Sequence, residues 1–142
     1  MRFIAWVWFG MILGVSFLAT PAKFQAETLT LPVALEVGRV TFSYFDRLEW
    51  LFLIALIVVA WRRSRAGRLD ATSRVLLGVI VALVAAHTFY FLPILDTRAS
   101  MIMAGETPPP SHLHLISGIG EVLQAIALAW LGFRAGDHPP AG

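Results

Sequence analysis

The chain has 142 residues, of which 58% are hydrophobic and 14% charged, with a mean hydropathy of +0.74. A soluble domain is usually about half apolar and a quarter charged, so this composition excludes a disordered tail, a collagen-like chain and an ordinary soluble enzyme, and it indicates a membrane protein. The absence of cysteine removes disulfides, thiolate metal sites and thiol catalysis, and a net charge of +2 gives no reason to expect a nucleic-acid partner.

A membrane-crossing helix needs about 20 mostly apolar residues. Residues 3–22 meet this without a charge, 41–61 apart from Asp46, Arg47 and Glu49, 75–95 with His87, and 112–133 with Glu121 and Gln124. The expected fold is therefore all-α, a four-span transmembrane helix bundle forming a single integral membrane domain over 1–142. The first span is read as a retained helix. A cleaved secretory signal is the alternative, disfavoured because the apolar run exceeds the usual length of roughly 7–15 residues. Gly10 and Gly14 have GxxxG spacing, and Gly118 and Gly120 lie in the fourth span; both pairs predict close helix packing.

The basic residues set the orientation. Arg2, Arg134 and the five arginines of the 62–74 loop fall on one side, and Lys23, Arg39 and Arg98 on the other. The positive-inside rule then places both termini and the arginine loop in the cytoplasm, with the chain crossing the membrane several times.

Helices two and three are expected to outrun the bilayer and project on the periplasmic side. Pro32 suits a first helical turn. At 100° per residue, Glu36, Arg39, Ser43, Asp46, Arg47 and Trp50 fall on one stripe, which should face protein or water. In the third helix Pro93 removes one backbone hydrogen bond, Gly105 is a natural stop, and Ser111 can cap the fourth helix. Heights counted outward from Arg62 and Arg74 pair Arg39 with Asp96 and Glu36 with Arg98.

The same ruler finds a polar layer. Glu49 precedes Arg62, His87 follows Arg74 and Glu121 precedes Arg134 by 13 residues each. At about 1.5 Å per residue all three lie roughly 20 Å from the cytoplasmic boundary. Asp46 and Arg47 sit one turn further out, and Gln124 lies beside Glu121. Ionisable groups at such depth must face one another or a wet cavity. Three uses stay open: hydrogen-bonding glue between helices, a proton or ion relay, or a metal site drawing on His87, Glu121, His112 and His114. His112 and His114 point about 160° apart on a regular helix and cannot share one ion there. The sequence requires no cofactor, and it contains no phosphate-binding loop, HExxH or GxSxG.

The stretch Phe17–Phe24 followed by Leu31–Glu49, then Leu92–Arg98 with Ala104–Pro110, His112-Leu113-His114 and Glu121-Val122-Leu123, resembles small bacterial inner-membrane proteins of the family called domain of unknown function 4149. Its eukaryotic relatives are called transmembrane protein 205, and the group has some likeness to copper-resistance D-type membrane domains. The resemblance implies a four-helix membrane protein with no assigned activity. Gln124 stands where those copper-related sequences would have a basic residue, so metal binding is not carried over. The expected function is that of a non-catalytic accessory, assembly or structural membrane protein, in contact with lipid and with other membrane subunits or itself. The alternative is a transporter or relay for protons or a metal ion through the Glu/His layer.

Overall fold

The structure is a computed structural model that describes residues 1–135; the end of the expected 1–142 domain, residues 136–142, lies outside the described residues. The described residues form four helices: α1 (Arg2–Lys23), α2 (Leu31–Arg65), α3 (Ala71–Met103) and α4 (Leu113–Arg134), with no strand among them. Three of them, α1, α3 and α4, are long and apolar enough to cross a membrane. The remaining helix, α2, runs for 35 residues and carries Asp46, Arg47 and Glu49 in mid-course. Large apolar side chains such as Phe3, Leu51, Ile54, Val75 and Ile126 point outward. Helices that are apolar on their outer as well as their inner faces suit a hydrocarbon surround.

The helix ends follow local chemistry. Pro32 lies in the first turn of α2, where its missing N–H costs nothing. Gly67 and Gly105 adopt φ of +68° and +81°, and Arg68 N–H and Glu106 N–H reach back to the carbonyls of Arg63 and Met101. These are Schellman closures, which need a left-handed residue and so favour glycine. At the start of α4, the Ser111 hydroxyl accepts from Leu113 N–H at 3.1 Å.

Two helices change winding in mid-course, which periodicity did not foretell. Leu13–Ala19 of α1 and His87–Phe91 of α3 are π-helical. Each segment runs into a proline. Thr20 N–H bonds to Val15 O just before Pro21, and Leu92 N–H to His87 O just before Pro93. A proline ring clashes with the carbonyl four residues back, and one wider turn relieves that clash without ending the helix.

Inside, α1 packs along α4, α4 against the first half of α3, and α2 against α1 and α3. The core centres on Trp8, Ile12, Leu53, Leu56, Ile80, Val84, Leu128 and Leu131. The GxxxG expectation is corrected here. A Cβ at Gly10, Gly14, Gly118 or Gly120 would meet nothing within 4 Å. Between α1 and α4 the close approach is at Gly132, where a Cβ would lie 2.8 Å from the Trp6 indole nitrogen. Tight contact is decided by which face a glycine occupies, and spacing alone does not give that.

The arginine end is tied together by Asp70. Its carboxylate caps α3, accepting from Ser73 Oγ at 2.5 Å and Ser73 N–H at 3.3 Å, and it meets Arg134 of α4 at 3.0 Å. The Ser73 hydroxyl first, then the Ser73 amide and Arg134, hold the Asp70 carboxyl down at about 2. A carboxyl depressed in the folded state contributes stability above its unfolded value near 3.8 and loses it as pH falls toward about 2. Asp70→Ala is expected to cost about 0.5–2 kcal/mol at neutral pH, mostly as the lost cap, with the gap to the parent closing between pH 4 and 2. Thermal unfolding in detergent across that range checks it; a gap that stays constant to pH 2 would contradict the charged cap.

Candidate functional site

The most concentrated polar chemistry in the described chain lies where all four helices meet. Glu49 of α2 is 3% exposed. Its Oε1 accepts from Trp8 Nε1 of α1 at 3.1 Å and from Gln124 Nε2 of α4 at 2.6 Å. Its other oxygen, Oε2, faces His87 Nδ1 of α3 at 3.9 Å. The far ring nitrogen, His87 Nε2, lies 3.8 Å from Glu121 Oε1 of α4. Glu49, His87 and Glu121, set at one height by the arginine ruler, thus sit in line across three helices. Both imidazole separations exceed hydrogen-bond length, and the buried His87 Nδ1 has no partner among the described residues.

A second set of bonds extends the layer by one turn along α2. Asp46 Oδ1 accepts from Thr88 Oγ1 at 2.6 Å, and Thr88 Oγ1 accepts from Trp50 Nε1 at 3.0 Å. His87 and Thr88 open the π turn of α3, so that turn presents two consecutive polar side chains toward α2. Ligand atoms of Asp46, Glu49 and His87 all lie within 4.8 Å of one another.

Other residues expected at the site stand elsewhere. Arg47 is exposed, with its guanidinium over the Tyr44 ring at 5.5 Å, and is not part of the layer. It is adjacent to Asp46, and consecutive helical residues diverge by about 100°. His112 and His114 are also exposed and join no metal-competent group among the described residues. Beyond the layer, Arg39 Nε meets Asp96 Oδ1 at 3.4 Å and Arg39 Nη1 donates to Ser100 Oγ at 3.2 Å. Glu36 and Arg98 form no ion pair among the described residues. Past Gly105 the chain turns back alongside α3, and Arg98 donates instead to the Pro109 carbonyl at 2.7 Å.

Sequence reasoning missed Trp8 and Thr88. Trp8 had a signal: it is an indole donor in a span with no charge, and a buried Trp N–H usually finds a partner. Thr88 gave none, since threonine is common in apolar helices.

No curated protein and no solved structure matches the chain. A family described as Domain of unknown function (DUF4149) matches residues 3–101. The matched stretch is well over half of the chain. It includes Trp8, Asp46, Glu49, His87 and Thr88, and it stops before Glu121 and Gln124. The match spans α1, α2 and nearly all of α3, and the protein belongs to the DUF4149 family.

Proposed function

We propose that the protein is a single-domain, four-span protein of the bacterial inner membrane, cytoplasmic at both termini and at the arginine loop, and that it serves as a non-catalytic accessory or assembly subunit. The carrying observation is helix length. α2 has 35 residues and α3 has 33, against 22 each for α1 and α4. At about 1.5 Å per residue the longer pair exceeds a hydrocarbon core of about 30 Å by some 20 Å. The excess lies opposite the arginine end and carries Glu36, the Arg39–Asp96 pair and Arg98. It forms a small charged platform on the periplasmic side for a neighbouring membrane subunit or a second copy. The burial of Asp46 and Glu49 supports α2 as the fourth span, since both are turned away from lipid.

Reporter fusions within 64–68 are expected to read cytoplasmic and fusions within 106–110 periplasmic. Native purification in mild detergent should retain a second chain, or a defined homo-oligomer, in fixed stoichiometry. A periplasmic arginine loop would overturn the topology, and a monomer without any fixed partner would overturn the accessory role.

One observation favours a second reading, in which the layer holds or passes a cation. The buried His87 Nδ1 faces a carboxylate oxygen at 3.9 Å and has no hydrogen-bond partner among the described residues.

A further inference from the structure

We propose that Asp46, Glu49 and His87 form a site for a first-row divalent transition-metal ion, of the zinc or manganese kind, with Glu121 orienting the imidazole. This deepens the cation reading and is independent of the accessory role.

The donor atoms are already sorted. Trp8 and Gln124 both donate to Glu49 Oε1, so Oε2 is turned to His87. Thr88 and, through it, Trp50 fix Asp46 by Oδ1. The separation of Glu49 Oε2 from His87 Nδ1, 3.9 Å, is too long for a hydrogen bond. It is close to the roughly 3.4 Å that separates two ligands of one tetrahedral ion with bonds of about 2.0–2.1 Å. Drawing the three donors, now within 4.8 Å of one another, onto an ion asks only for side-chain adjustment.

The unpartnered nitrogen is the second, independent observation. A buried polar atom without a partner needs an explanation, and His87 Nδ1 is such an atom on a residue that is 8% exposed. Metal-bound histidines commonly direct their other ring N–H at a carboxylate, which selects the tautomer. Here His87 Nε2 faces Glu121 Oε1 at 3.8 Å; on metal binding this gap would close to a hydrogen bond, leaving Nδ1 to supply the lone pair.

The donor set defines the ion class. Two carboxylates and a neutral imidazole balance a divalent charge within the bundle. The nitrogen donor argues against calcium, which takes oxygen ligands, and the absence of sulfur argues against copper(I). Three protein ligands leave at least one position open, as in sites where an ion also takes water or a passing ligand.

The test uses the untagged full chain in detergent, stripped with chelator and reloaded with Zn2+ or Co2+ alone. About one ion per chain is expected to survive gel filtration, with Co2+ giving the visible bands of a nitrogen–oxygen site. Asp46→Asn and His87→Gln should each lose that binding, Glu121→Gln should weaken it about 10–100-fold, and His112→Ala/His114→Ala should leave it unchanged. Should the ligand variants fail to fold, the parent still decides the matter, because Zn2+ bound to the folded state must raise its melting temperature. A folded parent that neither retains metal nor gains thermal stability overturns the site. So do folded ligand variants that bind like the parent, or binding that disappears with His112 and His114. The fixed-partner purification is scored separately, so failure of the metal site is distinguishable from failure of the accessory role.

Discussion

Glu49→Leu is expected to cost about 2–5 kcal/mol of bundle stability, read as a fall in unfolding midpoint in detergent or mixed micelles. The parent carboxylate satisfies two donors from two other helices at 3.1 and 2.6 Å. Leucine removes both acceptor contacts at once and leaves the Trp8 indole and the Gln124 amide facing apolar surroundings. Each buried orphan donor costs about 1–3 kcal/mol, moderated in membranes by partners found in the unfolded reference state. Glu49→Gln keeps an oxygen in place and should lose far less. The triple variant Trp8→Phe, Glu49→Leu and Gln124→Leu should recover much of the loss, since removing every partner of a buried polar group is cheaper than removing one. A Glu49→Leu protein as stable as its parent would show that the layer does not hold the helices together.

Gly132→Ala is expected to destabilise by about 1–3 kcal/mol, the usual cost of overpacking a close contact. The new methyl would meet Trp6 Nε1 at 2.8 Å and Cε2 at 2.9 Å. The indole cannot easily step aside, because it is wedged edge-on against Phe9 at 5.5 Å and Phe133 at 4.8 Å between ring centroids. Gly10→Ala and Gly14→Ala are the controls. With nothing within 4 Å of either position, they should be neutral or gain a few tenths of a kcal/mol from helix propensity. Melting curves of the three variants under one detergent condition decide this. Equal effects at positions 10 and 132 would mean that the α1–α4 contact is not the tight one.

Much of the helix layout was legible in the sequence because hydrocarbon imposes long apolar runs and glycine and proline punctuate them. Counting residues from the arginines at one end put Glu49, His87 and Glu121 level with one another, since rise per residue is nearly constant in any helix, and in the fold His87 faces both carboxylates. That count was made for ionisable groups, and it would not have found Trp8. Measured from Arg2 it falls only about 9 Å in, well short of the layer, so Arg2 does not mark the level that Arg62 marks. Height also says nothing about facing. Arg47 shares its height with Asp46 but lies on the outer surface, and Arg98 reaches a loop carbonyl because the course of the chain after Gly105 is set by packing. Glycine spacing failed for the same reason, as the close contact at Gly132 belongs to no motif.

The wide turn at His87–Phe91 has a consequence for comparing this chain with its relatives. Such a turn holds one residue more than the α-helix around it, as if a single residue had been inserted between Ala86 and Leu92. One residue is worth about 100° of phase, so everything beyond Leu92 is set against α2 by that insertion as much as by the choice of side chains. A relative lacking one residue there would wind straight through. The counterparts of Asp96 and Ser100 would then swing away from Arg39, and its charge partners would have to be coded at different positions. Alignments across residues 87–91 should accordingly place a one-residue gap where the helix changes phase, and substitutions beyond it should be read in the register of the segment after the turn alone.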